Sequence, residues 1–363
     1  MKKIIALIAL LWGIFAVQIA LADLPAVTES LVPEAAKNFA VDRLEDGYSR
    51  ITVQNGGRFL LIPTGMDAPD NLDADIAPLY MPLDNLLVAS TSTVALMDEI
   101  GALSAVAQTT YDAEDWYLPD VKQAVQDGRI AYVGSYKQPD FERIALNPPK
   151  LAVFSTMIDG TPDVREKLDE LGIPVLVDSS ALEDTPLGRM EWMKLYGVLL
   201  EHEAEANAAF EAQKQKIETL EPMQENVTVA MFYITSKGAL YVRNNGDYMV
   251  KMLELAGGQY APEGLGGDES GTRQMEMEAF YLAAGHADCI LYIGQLGGRP
   301  ETLAQLLERN ALLADFKAVQ NGRVYCTGAD YFQQAGRLGD LIEDMNRMLS
   351  GDDAALTHIM KLE

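Results

Sequence analysis

Two textures of apolar residues alternate along this chain. Short apolar runs stand at residues 86–89, 151–154, 175–177, 227–234 (broken only by Thr228), 289–293 and 324–326 (after Arg323), and between them the apolar positions recur at helical spacing. Such runs suit strands covered by helices on both faces. The spacing between them predicts helices over 90–100, 141–146, 164–171, 248–256 and 333–349. One of Ser90, Thr91 or Ser92 is the expected cap of the first, and Gly257-Gly258 the expected stop of the fourth. The scheme runs twice, so the expected fold class is α/β: two Rossmann-like lobes with parallel sheets, residues 83–184 and 222–363.

Between the lobes, residues 185–221 read as one long helix. Thr185 caps it, Pro186 occupies its first turn, and Pro222 stops it. At about 1.5 Å per residue it would form a strut roughly 50 Å long. Ahead of the first lobe, residues 23–82 form an extension of different texture. There Arg50-Ile51-Thr52-Val53, a Gln54-Asn55-Gly56-Gly57 turn and Arg58-Phe59-Leu60-Leu61-Ile62 predict a β-hairpin, and residues 64–75 a loop.

At the N-terminus, Lys2 and Lys3 precede an apolar stretch and then Ala20-Leu21-Ala22, the pattern of a cleavable signal peptide over residues 1–22. A soluble periplasmic protein is expected, and the lack of a cysteine near the cleavage site argues against a lipid anchor. With 48% hydrophobic residues among 363 there is material for two cores. The 54 acidic against 28 basic residues exclude nucleic acid as a partner. Cys289 and Cys326 fall on neighbouring strands about three residues out of step, on the order of 10 Å, so they are expected to be buried free thiols.

Catalytic and metal-binding signatures are scarce. His202, His286 and His358 lie apart from one another and from cysteine at ligand spacing, so no protein metal site and no resident cofactor is expected. Neither G-x-S-x-G nor a phosphate-binding glycine loop occurs, and the clusters 264–267 and 294–298 read as loops. The expectation is a binding protein and not an enzyme.

Several segments, in order, carry a family resemblance. They are Asp140-Phe141-Glu142-Arg143-Ile144-Ala145-Leu146-Asn147-Pro148-Pro149-Lys150-Leu151-Ala152-Val153, Lys167-Leu168-Asp169-Glu170-Leu171-Gly172-Ile173-Pro174-Val175, Met252-Leu253-Glu254-Leu255-Ala256-Gly257-Gly258, and Met277-Glu278 through Ala287-Asp288-Cys289-Ile290-Leu291. From about Leu83 to Leu349 the chain resembles the substrate-binding proteins of ABC importers for siderophores, haem and cobalamin. Pro148-Pro149 departs from the Pro-Asp usual there. The resemblance implies a monomer that captures a metal-chelate small molecule, with a ferric siderophore the first expectation, and hands it to an ABC permease in the inner membrane. Cobalamin or haem is the alternative within the class. An exported chelatase-like enzyme acting on a tetrapyrrole is the alternative outside it, and would want a histidine with an acidic neighbour in the cleft. By the same resemblance, Glu142 and Glu278, one per lobe, dock onto arginines of the permease.

In open α/β sheets ligands sit beyond the carboxyl ends of the strands. The loops there supply residues 90–93, Trp116, Tyr117, Ser135, Tyr136, Thr156 and Met157 from the first lobe. The second lobe supplies Tyr233, Arg243, Tyr248, Arg273, Gln295, Asp330 and Tyr331, and Arg189 opens the interlobe segment. Aromatic rings and guanidinium groups together suit a large, anionic, planar or chelated ligand.

Overall fold

The computed structural model describes residues 24–363; the expected signal peptide lies outside them. The N-terminal extension holds more than the hairpin. Strands β1 (Val27–Leu31), β2 (Phe39–Leu44), β3 (Ser49–Val53), β4 (Gly57–Ile62) and β5 (Ile76–Tyr80) form a sheet in that order. The expected hairpin is β3–β4, with Asn55 left-handed at its turn (φ 57°). That turn is a hook. Gly56 accepts a hydrogen bond from Val177 N–H at 3.0 Å, and a Cβ on Gly56 would stand 2.4 Å from the Val177 carbonyl oxygen.

Val177 belongs to the edge of the first lobe's sheet. Strands β6 (Leu86–Ala89), β7 (Val106–Thr109), β8 (Ala131–Tyr132), β11 (Leu151–Ser155) and β12 (Val175–Asp178) lie in the order β12-β11-β6-β7-β8, all parallel. A small hairpin, β9 (Gly134–Ser135) and β10 (Gln138–Pro139), follows β8. Helices α1 (Thr91–Glu99), α2 (Pro119–Gln126), α3 (Phe141–Leu146) and α4 (Pro162–Glu170) link the strands. Ser90 is the cap of α1, accepting from Thr93 N–H.

The segment 185–221 is helical but not continuous. It forms α5 (Pro186–Leu200) and α6 (Glu203–Glu218), broken where Glu201 turns left-handed (φ 61°). A straight helix would separate Gly197 from Ala206 by roughly 13 Å. Instead a Cβ on Gly197 would lie 2.7 Å from the Ala206 Cβ, so the helices fold against each other at a glycine–alanine contact. The left-handed residue costs roughly 1–2 kcal/mol, which that packing offsets. Neither glycine nor proline marks the break, and hydrophobic spacing runs through it.

The second lobe comprises α7 (Tyr248–Leu255), α8 (Met277–Ala284), α9 (Gly294–Gly297), α10 (Leu303–Leu307), α11 (Lys317–Gln320) and α12 (Leu338–Ser350) around a mixed sheet. Strands β13 (Thr228–Ile234), β17 (Cys289–Tyr292) and β18 (Val324–Thr327) are parallel, as is β15 (Gln259–Ala261) beside β13. Strands β14 (Leu240–Arg243), β16 (Thr272–Met275) and β19 (Ile359–Lys361) add antiparallel neighbours. The tight turn at 235–239 makes β13–β14 a hairpin, which only antiparallel strands can form. The expected helix at 333–349 starts at Leu338, preceded by 3-10 turns, and the glycines at 294–297 form a helical turn and not a loop. Both cysteines are free and buried.

One apolar cluster takes one face of each of the three large sheets: Val41, Ile51 and Phe59; Leu86, Val88 and Val153; Val229, Met231 and Leu291. Buried Met190, Trp192, Tyr196 and Leu199 of α5 join them. The opposite faces pack separately, with Leu87 and Phe154 in one cluster and Phe232 and Ile290 in another. That is why the strands read as unbroken apolar runs.

Candidate functional site

Six of the expected site residues converge: Thr91, Ser92, Arg189, Arg243, Tyr248 and Tyr331. A cavity of about 430 Å³ is lined by Ser92 and Ser180, which follow β6 and β12, by Arg189 of α5, and by Arg243, Tyr248, Leu296, Tyr331 and Leu338 of the second lobe. Its volume is within the usual range for small-molecule sites. Ser92, Ser180, Leu296 and Tyr331 all stand beyond carboxyl ends of parallel strands, as the rule for open sheets requires.

Arg189 is held from three sides. Its Nη2 donates to the Ala181 carbonyl at 2.5 Å and its Nε to the Glu183 carbonyl at 3.3 Å, while its guanidinium lies 3.7 Å from the Tyr248 ring centre. Burial draws its pKa down, yet an arginine stays charged near neutrality. Arg243 is buried and meets Asp247 at 3.5 Å, a long contact. Asp247 is occupied elsewhere, accepting from Met249 N–H at 3.0 Å and Gly271 N–H at 3.0 Å. Nε and Nη2 of Arg243 have no partner among the described residues, nor does the Tyr331 hydroxyl. Burial raises the pKa of Tyr248, and that of Tyr331 well above 10, so both phenols are neutral donors. Two guanidinium groups, one short of acceptors, and two phenolic donors form a site for anionic oxygen.

The other expected residues lie elsewhere. Trp116 is 1% exposed and packs edge-on to Tyr111 in the core, so it is no cleft residue. Tyr136 packs on the outer cluster of the first lobe, and Met157 is exposed beside Thr156; none of the three lines the cavity. Tyr233 stacks on Tyr241 at 5.2 Å, and Arg273 is an exposed partner of Glu269 at 3.2 Å. Gln295 accepts from Thr327 Oγ1 at 2.7 Å. Tyr117 and Asp330 line a neighbouring cavity of about 380 Å³ with Arg299 and His358. There His358 Nδ1 and the Asp330 carboxylate are 2.8 Å apart, and this contact raises the histidine's pKa against the effect of burial. His286 is exposed just ahead of β17, at the opposite edge of the sheet.

Sequence reasoning missed Ser180, Leu296, Phe332, Ala335, Leu338 and Leu341. Ser180 follows β12 as Ser92 follows β6, so the carboxyl-end rule could have found it.

Glu142 and Glu278 are exposed in the first turns of α3 and α8, and neither makes an ion pair or side-chain hydrogen bond among the described residues. Both helices start at the cavity edge of their sheets. Asp140, the cap of α3, donates its N–H to the Val133 carbonyl just past β8. Met275, before α8, pairs with Leu240, which pairs with Ile234 at the carboxyl end of β13.

Residues 87–331, more than half of the chain, match the periplasmic binding protein family, and the N-terminal sheet precedes the match. An uncharacterised lipoprotein of Methanocaldococcus jannaschii is 30% identical over 292 residues, 77% of this chain and 68% of the relative. The periplasmic haem-binding protein of Vibrio cholerae superposes with a TM-score of 0.59 at 17% identity, covering 72% of this chain and 98% of that one. The petrobactin-binding protein of Bacillus subtilis superposes with a TM-score of 0.58 at 17% identity, covering 73% and 92%. At such identity these two likenesses speak for the two-lobed fold alone. On the extent of the family match, the chain belongs to the periplasmic binding protein family.

Proposed function

We propose that this protein works outside the cytoplasmic membrane, captures an anionic metal chelate, a ferric siderophore in the first instance, and delivers it to an ABC importer. The carrying observation is the interlobe cavity, where the guanidinium groups of half-buried Arg189 and buried Arg243 meet Tyr248 and Tyr331. Two nearby positive charges favour a ligand bearing carboxylate, catecholate or phosphate oxygen over a neutral one. Leu296, Phe332, Ala335, Leu338 and Leu341 supply the apolar wall that a bulky chelate needs. Glu142 and Glu278, exposed on the cavity edge of the two lobes, are the docking points for the permease. The lipoprotein relative fits an extracytoplasmic place, whether this chain is released from a signal peptide or anchored.

Calorimetric titration with ferric siderophores, haemin and cyanocobalamin tests the reading. The expected result is submicromolar binding of an anionic member, weakened about 10- to 100-fold by Arg189→Ala and by Arg243→Ala, as charged hydrogen bonds of ~1.5–3 kcal/mol imply. Tight binding of cyanocobalamin that neither substitution alters would overturn the anionic ligand. The enzyme reading has one observation in its favour, the His358–Asp330 pair beside the cleft. Metal insertion into a porphyrin, abolished by His358→Ala, would establish it; the expectation is binding without turnover.

A further inference from the structure

The two docking glutamates sit in matching surroundings. In α3 the order is Phe141-Glu142-Arg143-Ile144-Ala145-Leu146, and in α8 it is Met277-Glu278-Ala279-Phe280-Tyr281-Leu282. Two residues after each glutamate comes a fully buried side chain, Ile144 or Phe280, which fixes the rotation of the helix. Four residues after each comes a leucine on the same helical face as the glutamate. Leu146 is 86% exposed and Leu282 82%, the most exposed leucines among the described residues. One exposed leucine is ordinary. Two at the same offset from two unpaired glutamates, on equivalent helices of separate lobes, form a repeated surface.

That surface is electrostatically available. Arg143, the cation nearest Glu142 in sequence, turns away to the Asp140 carboxylate and the Tyr132 carbonyl. With a net charge of −26 the protein favours a cationic partner.

We propose that Leu146 and Leu282 are the apolar halves of a two-point contact with the membrane permease. That partner presents, twice, a cation beside an apolar hollow, one copy for each lobe. The inference rests on the delivery role proposed above and adds to it. A carboxylate–cation pair left in water contributes little. A leucine seated beside it excludes water and lowers the local dielectric, which strengthens the pair. The doubling of the pattern fits a partner with two-fold symmetry, since an identical pair of receiving sites needs an identical pair of projections.

The native thiols make a clean experiment possible. Burial pushes the pKa of Cys289 and of Cys326 up to about 12, so a new surface cysteine reacts selectively. Leu146→Cys, Leu282→Cys and a control, Leu255→Cys, are each labelled with benzophenone maleimide. Leu255 is also exposed, but ends α7 at the opposite edge of the lobe, where Gln259 pairs with Thr228 at the start of β13. Labelled proteins are illuminated on right-side-out membrane vesicles from the source cells, and adducts are identified by mass spectrometry. The expected result is one and the same multi-spanning permease subunit cross-linked from positions 146 and 282, at a yield at least tenfold above position 255. Adding Glu142→Ala or Glu278→Ala should lower the yield at the neighbouring label about tenfold. Adducts from one position only, from neither, or equally from 255 would overturn the proposal. Titration of the same labelled proteins separates the two ideas: retained ligand binding without adducts refutes the leucine contact alone, whereas absence of binding to every chelate tested refutes the delivery role with it.

Discussion

Glu191 of α5 is fully buried, and its carboxylate is consumed by an N-terminal strap. Oε1 accepts from Glu34 N–H at 2.9 Å and from Lys194 Nζ at 3.0 Å, while Oε2 accepts from Ala35 N–H at 2.8 Å and Ala36 N–H at 2.9 Å. Glu191→Gln keeps the shape but has no satisfactory orientation. With its amide nitrogen at the Oε1 position it confronts one backbone N–H and a lysine; at the Oε2 position it confronts two backbone N–H groups. One buried donor left unpaired costs ~1–3 kcal/mol, and the surviving bonds fall from charge-assisted to neutral strength, about 1 kcal/mol less each. The expected loss is therefore about 3–5 kcal/mol, in line with breaking a buried charged contact. Urea denaturation followed by tryptophan emission reports it directly, because Trp192 stands one residue away and donates to Glu183 at 2.9 Å. Glu142→Gln, at an exposed and unpaired site, should stay within ~0.5 kcal/mol of the parent. A Glu191→Gln loss below about 1 kcal/mol would refute the argument that the strap is held by this carboxylate.

Two further outcomes follow from geometry. Gly197→Ala gains up to about 1 kcal/mol of helix propensity, yet its methyl would stand 2.7 Å from the Ala206 Cβ, an atom that moves only with its backbone; a net loss of about 1–3 kcal/mol in the same urea assay is expected, and a gain would refute the close packing of α5 on α6. The Asp330 hydrogen bond holds the folded pKa of His358 above 6.5, so the stability from this contact is full below that value and fades as pH rises through the folded pKa. For Asp330, burial opposes, but His358, Gln334 and a backbone hydrogen bond together outweigh it and the pKa falls below 3.8, so the stability from these contacts is present above that value and fades as pH drops through the folded pKa. His358→Gln should flatten the decline of the denaturation midpoint on the alkaline side of 6.5, and an unchanged decline would count against the pair.

Periodicity made the strands and most helices of both lobes legible, because strands covered on two faces leave long apolar runs and their linking helices leave the period between. Short or exposed strands leave neither. Strand β1 is almost wholly exposed and β2 alternates, so the hairpin alone announced the N-terminal sheet. The break at Glu201 was invisible because contact between Gly197 and Ala206, and not a local signal, bends the chain. In the site, Arg189, Arg243, Tyr248 and Tyr331 were legible, being polar or amphipathic residues at loop and helix starts. Trp116 was misplaced because a ring next to a loop reads the same whether it faces a ligand or the core. The apolar wall from α12 was missed because leucines of an amphipathic helix carry no mark of the cavity they border.

The hook at Gly56 bears on how the edge of the first lobe's sheet is kept from pairing with other chains. Without its partner, β12 would end the parallel sheet with open amide groups, the kind of edge on which chains polymerise. The N-terminal sheet lays its turn across that edge and occupies the Val177 amide, and Ser179 Oγ reaches the Gln54 carbonyl at 3.3 Å beside it. The extension thus covers its neighbour's open edge: shortened chains lacking it are expected to precipitate through strand addition, even where the ligand cavity itself is untouched, and light scattering of the two forms would check this.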